Sequence, residues 1–189
     1  KKKKKNIDGV KKLLEDLKKE SVICFDTETN SPNPVSASLV GFSFSAKPGM
    51  GFYIPVNVEG ALDEKEVVDI IRPLFEDEGK TLVAHNYKFD WLILHRAGIQ
   101  IKGKPFDTMI AAYLIDATQK IKMDELSKKY LNYEPVPIEA LIGKGKKQIS
   151  LADLTPEEVY LYACEDADIT LRLYEIFSEQ LTKDELDDA

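Results

Sequence analysis

At 189 residues, 43% hydrophobic and 31% charged, the chain has the composition of one medium globular domain with room for a sizeable core. Its apolar runs fall far short of the ~20 residues that span a bilayer, and no hydrophobic segment follows the lysines at its start. Neither a membrane span nor a secretory signal is therefore expected, and the setting reads as intracellular. A net charge of −7 argues against broad binding of duplex nucleic acid, because proteins that grip phosphates usually carry a basic excess.

In chain order, Lys1 to Lys5 read as a solvated basic tail. Ile7, Val10, Leu13, Leu14 and Leu17 then recur at helical spacing up to Lys19. Val22 to Thr29 reads as a buried strand, with Cys24 a small core hydrophobe within it. Leu39–Ser45 and Met50–Val56, separated by Lys47-Pro48-Gly49, add two strands that make a meander with the first. A helix capped by Asp63 follows to Glu76, then a short strand Thr81–Ala84 and a helix Asn86–Arg96.

From Pro105 the pattern becomes helical. Asp107 can cap a helix through Ile115, and Met123–Leu131 forms another. Prolines 135 and 137 and the glycines around Lys144 mark an irregular stretch before a last helix from Pro156 to about Leu181, which carries Cys164. The order of elements predicts an α/β domain with a mixed sheet. Lys183-Asp184-Glu185-Leu186 spells a retention signal, but Asp187-Asp188-Ala189 follow and remove it from the required terminal position.

Chemistry enters where carboxylates interrupt apolar patterns. Asp26 and Glu28 close the first strand one residue apart, so both side chains point to the same side. Two like charges at the end of a buried strand repel unless a proton or cation intervenes. Most lone Asp-x-Glu triplets are solvated turns, so partners are needed. In the last helix Asp166 lies between Val159 and Leu173 at heptad spacing, inside an apolar stripe with Ala163, Ile169, Thr170 and Ile176. A buried, unpaired carboxylate there is costly. Tyr162 shares its face one turn earlier, Glu165 falls on another face, and Asp168 is a second candidate acid. Asn86 and Asp90 share a face of the helix after the fourth strand, a pattern that an N-cap and a salt-bridged Asp would explain equally well.

Taken together, Phe25-Asp26-Thr27-Glu28-Thr29, Asn86-Tyr87-Lys88-Phe89-Asp90 and Tyr162-Ala163-Cys164-Glu165-Asp166-Ala167-Asp168 resemble the three motifs of the DEDDy 3′-5′ exonucleases. More closely, the chain resembles the proofreading domain of bacterial-type family A DNA polymerases over nearly its whole length. Phe106-Asp107-Thr108-Met109, Met123-Asp124-Glu125-Leu126 and Gly143-Lys144-Gly145-Lys146 add to the match.

The resemblance implies a ribonuclease H-like fold, a mixed five-stranded sheet flanked by helices, with the four carboxylates meeting at the sheet's edge. It implies a metal-dependent 3′-5′ exodeoxyribonuclease acting on single-stranded or frayed DNA 3′ ends. Hard carboxylate oxygens suit two Mg²⁺ or Mn²⁺ ions rather than zinc, and His85 and His95 have no ligand partners in sequence. By resemblance Asp26, Glu28 and Asp166 hold one ion, Asp26 and Asp90 position the other, and Tyr162 orients the attacking water. Asn86 becomes a candidate contact to the DNA backbone, and Lys144, Lys146 and Lys147 to phosphates. Pro32 and Ile138 stand where relatives carry Leu and Phe wedges against the terminal bases. The chain is too short to contain a polymerase as well, so that part is expected to be covalently linked in the full-length protein. The rivals are a ribonuclease D-like exoribonuclease and a non-catalytic relative that keeps the fold; no acid is missing here.

Overall fold

Six strands follow the apolar runs: β1 (Lys2–Lys3), β2 (Val22–Thr29), β3 (Leu39–Lys47), β4 (Met50–Pro55), β5 (Thr81–Ala84) and β6 (Lys104–Asp107). The helices are α1 (Ile7–Leu17), α2 (Glu64–Phe75), α3 (Tyr87–Arg96), α4 (Thr108–Ile115), α5 (Met123–Leu126), α6 (Glu139–Ile142) and α7 (Pro156–Lys183). The computed structural model describes residues 1–4 and 6–183, and among these the strands form one sheet of order β1-β4-β3-β2-β5-β6. The retention-like sequence beyond Lys183 lies outside the described residues.

The alternation of β2 sorts its side chains onto two faces. Ile23 and Phe25 join Leu13 of α1, Ile71 of α2 and Leu94 of α3 in the largest buried cluster. Cys24 points the other way, against Val83 and Leu171 of α7. Helix α7 lies across that second face, where Val40 and Tyr53 meet Val159 and Ala163. A Cβ on Gly51 would come within 2.4 Å of the Cys164 carbonyl oxygen, so this glycine lets the helix lie directly on β4. Farther along, Ile169, Leu173 and Phe177 pack on Ala111 and Ala112 of α4.

Strands β2, β3 and β4 form the expected antiparallel meander, while β5 and β6 add in parallel. The sheet has six strands rather than the expected five. Lys2 and Lys3, expected in a solvated tail, pair in parallel with Phe52 and Tyr53. That pairing uses backbone groups, which a side-chain pattern does not report. Residues 104–107, expected to open a helical region, form edge strand β6 before α4 begins. The helix expected over Met123–Leu131 is α5 followed by a π-helical turn, Ser127–Leu131, ending at left-handed Asn132. No described helix is long and apolar enough to cross a membrane.

Candidate active site

The strand that carries Asp26 and Glu28 is interior, paired on one side with antiparallel β3 and on the other with parallel β5. The acids therefore gather at the end of a central strand, not at the lateral edge of the sheet. The β2–β3 register slips between Glu28 and Thr29, a bulge that ends regular pairing beside the acid pair. Asp26 and Glu28 take the same face as Cys24, the one covered by α7, and Asp166 meets them from that helix. One carboxylate oxygen from each of Asp26, Glu28 and Asp166 lies within 4.8 Å of the others.

Asp90 reaches the same place from the opposite side. Thr27, between the two acids, points toward α3; its backbone N–H donates to Asp90 Oδ1 at 3.0 Å and its hydroxyl at 2.6 Å. The expected set of four thus resolves into a trio under α7 and a fourth acid fastened by Thr27. Asp26, Glu28, Asp90, Asp166 and Tyr162 all line one cleft of about 730 Å³. Thr27 has no place among the sequence candidates. Its signal is the alternation itself, which sends the middle residue of Asp-Thr-Glu to the helix that bears the next acid.

Burial and mutual repulsion set the electrostatics. Desolvation raises the Asp26 carboxyl to about 6. Glu28, Asp90 and Asp166 are pushed well above the usual carboxylate range, first by burial and next by the charge of Asp26. Glu28 Oε1 is buried with no hydrogen-bond partner. Close carboxylates that cannot all ionise, one with an unpartnered buried oxygen, form a donor set that fits hard divalent cations. His85 lines the cleft but is engaged elsewhere: Nδ1 lies 2.8 Å from Thr108 Oγ1 and Nε2 is 2.9 Å from the Ile121 carbonyl.

Tyr162 lies one turn before Asp166 on α7, and the two side chains interact. Burial, with the charge of Asp166, pushes the deprotonation of Tyr162 far up. Glu165, expected on another face, is only 5% exposed, with Lys1 Nζ 3.6 Å from its Oε2. The middle of α7 is embedded on more sides than one stripe accounts for. Asp168 stays apart from the trio, accepting from Gly49 N at 2.7 Å and pairing with Arg172 at 3.0 Å.

Of the candidate DNA contacts, Asn86 and Ile138 line the cleft, as does Pro32. Asn86 takes left-handed backbone angles (φ 65°) at the start of α3 and makes no side-chain cap, so its side chain is not spent on the helix. Lys144, Lys146 and Lys147 are exposed and do not line the cleft. They sit at its rim, since Gln148, Ile149 and Ser150 immediately after them do line it. Ser150 Oγ donates to the Asn30 carbonyl at 3.0 Å, tethering this loop to the chain just past the acid pair.

Residues 3–182 match the family model of the 3′-5′ exonuclease of family A DNA polymerases. Several curated proteins called DNA polymerase I are similar. That of Borreliella burgdorferi is 40% identical over 177 residues, covering 93% of this chain and 19% of itself. The chain spans about a fifth of the length of these relatives. Among solved structures, the catalytic core of RRP6 from Trypanosoma brucei superposes with a TM-score of 0.76 at 16% identity, covering 98% of this chain and 48% of that one. Brucella melitensis NrnC with bound Mg²⁺ gives 0.71 at 20% identity, over 92% and 79%. These two likenesses speak for the ribonuclease H-like fold, and the family match speaks for the chain itself. The chain belongs to the 3′-5′ exonuclease family of family A DNA polymerases.

Proposed function

We propose that this domain removes nucleotides one at a time from single-stranded or frayed DNA 3′ ends, with two divalent ions, and proofreads for a covalently linked polymerase. The observation that carries the reading is the acid cluster: three carboxylates within 4.8 Å, an unpartnered Glu28 oxygen, and Asp90 lining the same cleft. Asp26, Glu28 and Asp166 would hold one Mg²⁺ or Mn²⁺, and Asp26 with Asp90 the second. What such ions supply is Lewis acidity, lowering the pKa of the attacking water and neutralising charge on the scissile phosphate and leaving 3′ oxygen.

The chain's own groups do the rest. Burial raises the deprotonation of the Tyr162 hydroxyl, so this group would orient the attacking water by hydrogen bonding rather than serve as the base. Thr27 fixes Asp90 through two hydrogen bonds, which holds that carboxylate in place beside the trio that would take the other ion. Asn86 offers an uncommitted amide to the DNA backbone, and Ile138 and Pro32 give the terminal base an apolar wall. A cleft of this kind admits an unpaired end more readily than a paired one, the preference proofreading needs. The polymerase names of the relatives support that role.

The test is incubation with 5′-labelled single-stranded DNA and RNA, with Mg²⁺ or Mn²⁺. A ladder of shortened DNA is expected, absent in chelator and absent for Asp26→Ala. No ladder from the parent, or a ladder unchanged by Asp26→Ala, overturns the reading. Faster degradation of the RNA turns it toward the exoribonuclease alternative.

A further inference from the structure

Helix α3 carries Asp90, yet it lacks a cap of its own. Its N-cap residue, Asn86, sits at φ 65° and ψ 52° with no side-chain hydrogen bond to the helix. Asn adopts this left-handed region more readily than other non-glycine residues, but a single residue stays there only where its surroundings hold it. The first N–H groups of a helix also need acceptors from somewhere.

Both needs are met from another element. Asp107 ends β6, and its backbone pairs with Ala84, the last residue of β5. Its Oδ2 accepts from Tyr87 N at 2.9 Å, and its Oδ1 from Asn86 N at 3.0 Å. The same Oδ1 accepts from Met109 N at 2.8 Å, which caps α4. One carboxylate thus caps two helices and holds the left-handed turn that aims α3. The next residue adds to the grip: Thr108 Oγ1 lies 2.8 Å from His85 Nδ1 and donates to Ala84 O at 3.3 Å. Asp107 does not line the acidic cleft; it borders a groove of about 640 Å³ on the other side of α3, with Tyr87 and Trp91.

We propose that Asp107 is a positioning residue for the exonuclease reaction. It fixes the first turn of α3, and through that turn the place of Asp90 against Thr27 and the Asp26–Glu28–Asp166 trio. The inference rests on the exonuclease reading for its catalytic consequence, although the placement of Asp90 is a structural statement in its own right. Removing the carboxylate frees three N–H groups and releases Asn86 from its left-handed state. Asp90 then drifts from the Thr27 amide, and displacements of about 1 Å at a reacting centre cost on the order of 10²-fold in rate.

Two measurements on Asp107→Ala and Asp107→Asn test this, at a temperature where circular dichroism shows both folded. Two-dimensional amide NMR without ions reads the Thr27 N–H, which reports its bond to Asp90, and the hydrogen exchange of Asn86 and Tyr87. Single-turnover degradation of labelled DNA at saturating enzyme reads the chemical step apart from binding. For Asp107→Ala we expect a moved Thr27 resonance, faster exchange at Asn86 and Tyr87, and a single-turnover rate lower by about 10²-fold. Asp107→Asn keeps the oxygen that serves Asn86 and Met109 and loses only the acceptor for Tyr87, so it recovers much of the rate. A folded Asp107→Ala with the parent's Thr27 resonance, or with the parent's single-turnover rate, overturns the proposal. Should the parent itself shorten no DNA, the exonuclease reading falls, and the amide measurements alone decide whether Asp107 places Asp90.

Discussion

The lining of the cleft and its rim are built in opposite ways. The acids stand on regular elements: Asp26 and Glu28 on an interior strand, Asp166 in the middle of α7, and Asp90 in the first turn of α3, 1% exposed. The lysines at 144, 146 and 147 stand on an exposed, glycine-punctuated turn whose neighbours Gly143 and Gly145 take positive φ. A metal centre demands fixed oxygens at short range, so its donors come from elements that cannot move independently. A phosphate backbone of variable path is met by point charges on long stems, for which adaptability costs little. The contrast predicts that change on the acid side destroys catalysis and relieves strain in the fold, whereas change on the lysine side weakens binding and leaves the fold alone.

The largest effect is expected from Asp166→Asn. With one donor of the trio removed, the rate on single-stranded DNA should fall on the order of 10³-fold. Relief of buried like-charge repulsion should raise the Tm of the ion-free protein by roughly 3–6 °C, about 1–2 kcal/mol for a domain of this size. Calorimetry in chelator beside a single-turnover assay reads both. A variant that loses activity and stability together would place Asp166 in the fold's support rather than in a preorganised, strained site.

Much of this acid side was legible from pattern alone, because the same periodicities that build the elements display their exceptions. Asp26 and Glu28 declare themselves by alternation, and Asp166 by interrupting an apolar stripe at heptad spacing. What stayed hidden depends on contacts distant in sequence. Thr27 matters only because Asp90 lies across from it, and Asp107 because β6 runs beside β5 and brings it to the start of α3. Strand β1 is held by backbone pairing of two lysines, a bond without side-chain signature. Glu165 falls on another face than the apolar stripe, and it is buried because α7 is packed on more than one side.

A smaller effect, and a sharper one for the comparison, is the pH dependence of stability in chelator. The Asp26 carboxyl is raised to about 6, and Glu28, Asp90 and Asp166 are raised as well, all chiefly by burial. A group whose folded pKa lies above its unfolded value makes the folded state bind more protons, so its contribution is complete below the unfolded pKa, about 4, and is lost as pH rises through the folded value. The Tm without ions should therefore decline between about pH 4 and 6 on account of Asp26, with the other three acids extending the decline upward. Adding Mn²⁺ at pH 7.5 should reverse it, and the same addition at pH 5 should do less, since protons occupy the site. A Tm that does not fall over this range, or a Mn²⁺ response equal at both pH values, would break the link between the acid cluster and a cation.

The smallest effect belongs to the lysine side, where the rule for polyelectrolytes supplies a number. For a single strand, each phosphate that a lysine no longer neutralises removes about 0.7 from the slope of log affinity against log salt. Replacing Lys144, Lys146 and Lys147 together by Ala should then flatten that slope by about 2, if each side chain meets one phosphate. At low salt the KM for single-stranded DNA should rise by roughly 10-fold, while kcat stays within about twofold because no donor in the cleft has moved. Tm should not change, since the three side chains are exposed. A fall in kcat would mean that the loop acts on the acid cluster itself, and the Ser150–Asn30 hydrogen bond, which ties it to the chain beyond Glu28, is a direct connection through which it could. Ser150→Ala then separates the two outcomes: with rim lysines acting only as charges, it leaves the salt slope at the parent's value.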